Sequence, residues 1–458
     1  MAKLTSTGVS ALKSLMDDMT ADPVKNAAGV VFVAVNKQGE SLFEHASGTA
    51  GLGIDTPITT DHSFWIASCT KMITGLACMQ LVEQGILALD DVELVERLCP
   101  VSSISSSLGV PEAGYNNISA LRQSHFLAPC LALTNPFPTA IKQELKEVKV
   151  IEGNQLVPKK RGITLRMLLS HTAGFGYSFF DKRLNDFYGA TGLNEFSGLK
   201  YDYLSQPLVN QPGEVWEYGI NIDWAGICLE RATGLTLNDY FQKYILQPIG
   251  LSHITMFPTE DMKSKLAYMH SRDLHTGDLQ LARDGHINRA PLVATTKAEK
   301  DAIFQQGGAG CFARPNQYAQ IISVLLNDGV HAPTNVRLLK KETVEAMFTN
   351  QIPQLPDFAR QGISPPKLEY SNPLPELYPE PHDIPQGWGL TFFLHLKDSA
   401  VHSKGTGWWA GLPNLFWWAD RTRGVGGMIA TQIIPFGDPK VMGLWATMEA
   451  TINANLAP

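Results

Sequence analysis

Ser68 and Lys71 stand three residues apart in Phe64-Trp65-Ile66-Ala67-Ser68-Cys69-Thr70-Lys71, a spacing that on a helix puts both side chains on one face, one turn apart. The start of a helix offers unpaired N–H groups and the positive end of the backbone dipole. A lysine held there shifts toward the neutral amine, which can take the proton of a serine hydroxyl. The N–H of the serine can then donate to the oxyanion formed when its oxygen attacks a carbonyl. The same pattern recurs at Ser10-Ala11-Leu12-Lys13 and Ser197-Gly198-Leu199-Lys200, so the letters alone do not choose. What sets Ser68 apart is its apolar lead-in, Trp65 to Ala67, and the apolar helix that follows from Met72 to a terminator at Gly85. A serine and a lysine at the mouth of a buried helix need partners. A nucleophile with its base meets that need, and so does a helix cap beside a snorkelling lysine. Cys69 would lie about 100° around the helix from Ser68 and has no basic partner of its own, which argues against it as the nucleophile.

The totals narrow the function classes. In 458 residues, 44% hydrophobic and 18% charged with a net charge of −7, no basic run exceeds Lys159-Lys160-Arg161. This argues against nucleic acid or an anionic membrane surface as partner. No apolar stretch is long enough to span a membrane, since Thr74, Gly75, Gln80 and Glu83 break the one after Ser68. The opening residues lack the apolar run of a signal peptide, so a cytoplasmic protein is expected. Six cysteines without a Cys-x-x-Cys pair suit reduced thiols. Twelve histidines without ligand spacing indicate no metal, and no cofactor is expected. An α/β-hydrolase is disfavoured because Gly-x-Ser-x-Gly does not occur.

The elements that would position Ser68 follow from periodicity. Val9, Leu12, Leu15, Met16 and Met19 mark an amphipathic opening helix, and Gly29 to Val35 with Glu40 to His45 read as a hairpin. Thr164 opens a short helix that Gly174 closes; further helices are expected over 222–233, 236–245, 316–327 and 439–453. Strands are expected over 388–396, 414–419 and 426–434, and residues 351–386 read as proline-rich loop. Strands at both ends and helices between predict an α+β fold, one antiparallel sheet built from both chain termini and flanked by helices.

The order Ser68-x-x-Lys71, then Thr164-Leu165-Arg166-Met167-Leu168-Leu169-Ser170-His171-Thr172-Ala173-Gly174, then Pro212-Gly213 ahead of Tyr218, then Gly307-Gly308-Ala309-Gly310, resembles the serine β-lactamase-related superfamily. Within it the chain looks most like class C β-lactamases, family VIII carboxylesterases and, more closely, the fungal acyltransferases that attach side chains to polyketides such as statins. The resemblance implies a β-lactamase/transpeptidase-like fold, with 1–458 a single catalytic unit, its α/β part at 1–60 and 387–458 and its mostly helical part at 61–386. Residues 101–143, rich in Ser, Pro, Asn and Ala, interrupt the pattern and read as an insertion, either a surface loop or partner-binding lid or a retained intron.

The resemblance also implies roles. Ser68 would attack an ester, thioester or amide, with Lys71 and Tyr218 passing its proton to the leaving group; Tyr218, ordinarily a poor base, would need the Lys71 charge to lower its pKa. Read without the family, Tyr218 serves equally as a packed aromatic at a helix start. The third motif is expected at Trp409-Ala410-Gly411 in preference to Lys404-Gly405-Thr406-Gly407, with the N–H of Leu412 completing the oxyanion hole. Phe175 and its aromatic neighbours are expected to line the pocket. Asn221, one residue later than the lactamase asparagine, is the candidate amide contact to substrate; its displacement and the lack of Lys-Thr-Gly disfavour lactam hydrolysis. The function expected is transfer of an acyl group from a thioester or ester to an alcohol of a small natural product, with a carboxylesterase or weak β-lactamase as the alternative and a silent scaffold disfavoured. The partners expected are a small-molecule acyl donor and acceptor, with an acyl-carrier domain as a candidate for delivery.

Overall fold

The computed structural model describes residues 2–100, 144–360, 362–374 and 381–457, so the expected insertion at 101–143 lies outside the described residues. The opening helix α1 spans Ser6–Thr20, capped by the Thr5 side chain on the Gly8 N–H, and buries Leu12, Met16 and Met19. The predicted hairpin forms as β1 (Gly29–Asn36) and β2 (Ser41–Gly48). The chain then crosses to helix α2 (Thr70–Glu83), helix α3 (Asn221–Thr233) and helix α4 (Pro315–Leu326). It returns to the sheet through β3 (Gln386–Trp388), β4 (Phe393–His395), β5 (Gly407–Gly411), β6 (Leu415–Asp420) and β7 (Val425–Ala430). Helix α5 (Pro439–Ala454) follows.

The sheet has the order β3-β4-β5-β6-β7-β1-β2 and is antiparallel throughout. Both ends of the chain build it, as the sequence predicts. Its central strands are buried along their whole length, so they are apolar on both faces. A Cβ on Gly426 would meet Ile322 of α4, whereas Phe416 stacks on Trp445 of α5. Ala419, which pairs with Gly426, is an odd number of residues from Phe416, so α4 and α5 cover opposite faces.

Three expectations change. The single strand over 426–434 ends at Ala430, and Ile433–Ile434 pairs in parallel with His270 and Ser271 in a different sheet. The single strand over 388–396 is two strands folded back on each other, because Gly389 N–H bonds the Phe392 carbonyl and Thr391 takes a φ of +87°. The helix opened by Thr164 stops at Leu169, short of Gly174, where His171 adopts a left-handed φ of +56°.

Candidate active site

A single turn of 3-10 helix, Ala67–Cys69, leads into α2 and carries Ser68. Ala67 holds a φ of +43°, a strained conformation of the kind kept where the surrounding packing over-determines it. Within the buried run from His62 to Met72, Ser68 alone is partly exposed. A side chain so placed can meet a molecule from solvent. By contrast, Ser10 and Lys13 of the first duplicate pattern are both exposed on α1.

Lys71 is fully buried, and its Nζ has three oxygen neighbours: Ser68 Oγ at 3.1 Å, Tyr177 Oη at 3.2 Å and the Gly308 carbonyl at 2.9 Å. Burial pushes its pKa down to about 7, with Asp223 opposing that fall. A neutral amine has two protons and one lone pair. The Gly308 carbonyl can only accept, so it takes one proton; Tyr177 can take the other, which turns the lone pair to the Ser68 hydroxyl. In the ammonium form the same three oxygens can all accept from it, so a charge taken up on this amine is received in place.

Behind the amine lies Asp223, on α3 and buried, its carboxyl pushed up by burial and pulled back by Lys71. The Gly308 N–H donates to Asp223 Oδ1 at 2.9 Å. One peptide residue is thus held from both sides, its N–H on Asp223 and its carbonyl on Lys71. A side chain there is excluded, since a Cβ on Gly308 would fall 2.6 Å from Asp223 Oδ2.

Tyr218 accepts from Trp409 Nε1 at 3.0 Å, and its ring lies 4.7 Å from Lys71 Nζ. The expectation that Lys71 lowers its pKa is corrected: burial pushes the phenol well above its ordinary value, with the Ser68 and Trp409 side chains offsetting only part of the rise. Burial thus favours the neutral phenol at Tyr218, a form suited to pass a proton on as acid. Burial likewise raises the Cys69 thiol, which disfavours it as a nucleophile.

The strand of the third motif is β5. Trp409, Ala410, Gly411 and Leu412 all line the cavity of about 450 Å³ that contains Ser68, whereas the Lys404 N–H bonds Asp398 in an exposed turn. Gly411 is needed because β5 runs so close to the serine turn that a Cβ would lie 2.6 Å from the Ile66 carbonyl. Two expected site residues stand elsewhere. Phe175 is fully buried against Trp224, at 5.8 Å and nearly parallel, and lines no part of the cavity. Asn221 is equally buried; its Nδ2 reaches His171 Nδ1 and the carbonyls of Phe175 and Glu217 at 2.9 to 3.1 Å, so it ties loops together beneath Tyr218 instead of facing substrate. The aromatic walls are instead Tyr177, Phe179, Phe180 and Phe196.

Tyr177 and Asp223 are absent from the candidates read from sequence. Tyr177 belongs to a loop with no periodicity to single it out. Asp223 did carry a signal, as the lone acid in the apolar run Ile222 to Leu229. Among the described residues no cluster of ligating side chains could hold a metal, and no helix is long and apolar enough to cross a membrane.

The family model described as Beta-lactamase matches residues 13–447. The chain belongs to that family. Among its Beta-lactamase relatives, the monacolin J acid methylbutanoyltransferase of Aspergillus terreus is 30% identical over 409 residues, covering 87% of this chain and 83% of the relative. The lovastatin esterase of Penicillium rubens is 29% identical over 415 residues, covering 89% of each. A solved mutant of simvastatin synthase from Aspergillus terreus superposes with a TM-score of 0.70 at 25% identity, covering 98% of this chain and 95% of that one. The fold is the one these enzymes share, and membership puts the chain among serine-dependent acyltransferases and ester hydrolases.

Proposed function

We propose that this protein transfers an acyl group from a thioester or ester, through a Ser68 acyl-enzyme, to an alcohol of a small natural product. The observation that carries the reading is the arrangement around Lys71 Nζ, a buried amine 3.1 Å from a partly exposed serine, with two further oxygens ready for its protons. Ser68 Oγ bonds to the acyl carbon as its proton passes to Lys71, and the N–H groups of Ser68 and Leu412 receive the oxyanion. Collapse breaks the bond to the leaving group, which takes a proton through Tyr218. The alcohol then enters by the same steps reversed. The strongly aromatic cavity supports an apolar acceptor, as does the likeness to a methylbutanoyltransferase acting on monacolin J acid.

A hydrolase with the same residues is the second reading, favoured by the 29% identity to a lovastatin esterase. Mass spectrometry of the Ser68 peptide after incubation with acyl thioesters separates the two. An adduct discharged faster by an alcohol than by water supports transfer, and one discharged by water alone supports hydrolysis. No adduct with any donor, with Ser68→Ala leaving turnover unchanged, refutes both. We further read 1–458 as one catalytic unit with 101–143 inserted, acting in the cytoplasm on donors that an acyl-carrier domain can deliver; the free, buried cysteines 69, 78, 99, 228 and 311 support a reducing compartment.

A further inference from the structure

The residues lining the cavity at Ser68 fall on both faces of β5, and these two sets form its first and second lobes. Side chains alternate along that strand. Trp409 faces Tyr218 and Trp388, with ring centroids 4.9 and 4.6 Å away, whereas Trp408 faces Trp445 of α5 at 5.0 Å. The cavity nevertheless includes both tryptophans. It reaches the far side because the pairing of β4 with β5 covers only Gly407 and Trp408, so from Trp409 onward no β4 ladder stands in the way.

Which reactant uses which lobe follows from where the protons go. The leaving group and the incoming alcohol must both meet Tyr218, which lines the first lobe, where Tyr177 lies 5.3 Å and Phe180 6.2 Å from its ring. The carbonyl oxygen is directed to the N–H groups of Ser68 and Leu412. The remaining substituent on the acyl carbon, the chain itself, is left with the path along Ala410 to Leu412, which opens into the second lobe.

That lobe is apolar along its walls, with Trp408, Phe416, Met442 and Trp445, and polar at one point. There the rings of His395 and His402 stack at 3.8 Å and 13°, and His402 Nδ1 lies 3.1 Å from the buried Glu449 carboxylate. A carboxylate on one ring nitrogen fixes the orientation of an imidazole toward whatever meets its other edge. A hydroxyl both gives and accepts a hydrogen bond, so it pairs with an imidazole in either protonation state.

We propose that the second lobe receives the acyl chain of the donor, an extended apolar chain that ends in a hydroxyl held at His402. The proposal rests on Ser68 being the acylated residue. The test compares butanoyl, octanoyl and ω-hydroxyoctanoyl thioesters of one thiol, each with a short and a long primary alcohol as acceptor, in the native protein and in Ala446→Trp and Glu449→Gln. Ala446 lines the lobe from an exposed position on α5, so added bulk there narrows the lobe without entering the core. In Ala446→Trp the ratio of kcat/KM for octanoyl over butanoyl falls by about tenfold or more. In the native protein the ω-hydroxyl donor outruns the octanoyl donor, and Glu449→Gln removes that preference. An unchanged octanoyl-to-butanoyl ratio overturns the proposal. So does a change that follows the length of the alcohol and not of the acyl group, and absence of any ω-hydroxyl preference overturns its polar end. In all these failures butanoyl still labels Ser68; a failure of Ser68 to be labelled by any donor falls on the acyl-enzyme reading instead.

Discussion

Replacing Asp223 by Asn tests whether Lys71 is the base. The amide oxygen can still accept from the Gly308 N–H, so the peptide that holds Lys71 keeps its support, and only the charge is lost. Lys71 must be neutral to take the serine proton, and its pKa stands at about 7 with Asp223 holding it up. Activity in the native protein therefore rises through an acid limb near neutrality. At one unit below that midpoint about a tenth of the amine is neutral. A paired opposite charge moves a pKa by about 1 to 3 units, and Asp223 raises that of Lys71. Its loss therefore lowers the midpoint, and a drop of about one unit lifts the neutral fraction at pH 6 from about a tenth to about a half. The assay is kcat/KM for one thioester from pH 5 to 9 in both proteins, each scaled to its own plateau. A limb that stays in place, or moves to higher pH, refutes the assignment of that limb to Lys71 under the influence of Asp223.

Other substitutions probe separate parts of the site. Trp409→Phe removes the donor to Tyr218 Oη at 3.0 Å and should lower kcat/KM by about tenfold, in line with one hydrogen bond, with little change in the urea midpoint. Gly411→Ala puts a Cβ 2.6 Å from the Ile66 carbonyl; β5 must shift, lowering kcat by about 100-fold as the Leu412 N–H moves from the oxyanion and destabilising the fold by about 1 to 3 kcal/mol, both read by steady-state kinetics and urea unfolding. Arg231→Met strips the buried Glu144 of its two hydrogen bonds at 2.8 and 3.1 Å and should cost about 3 kcal/mol in urea unfolding.

The sequence made Ser68, Lys71 and the hairpin legible because each is a short-range pattern: a spacing of one helical turn, or two alternating runs about a turn. The strand β5 gave no such pattern, since Gly407 to Gly411 are all buried and a strand covered on both faces loses its alternation. Its motif was found through resemblance and not through periodicity. Tyr177 reaches Lys71 from a loop more than a hundred residues away in sequence, a contact that no local spacing encodes. Phe175 is expected at the pocket because it opens an aromatic run, and Asn221 because it lies one residue from the place of the lactamase asparagine. Neither signal encodes the tertiary partners that bury them, Trp224 for Phe175 and the His171 ring with the Phe175 and Glu217 carbonyls for Asn221.

The shared sheet has a consequence for the protein as it emerges from the ribosome. The hairpin β1–β2 and the turn of Ser68 are made well before β5 and β7, of which β7 joins β1 in the sheet and β5 leads into Leu412 on the cavity of Ser68. Until those later strands arrive, β1 has an open edge and the cavity lacks one wall. The growing chain is exposed to edge-on association through that interval, so protection of the edge and closure of the cavity are acquired together.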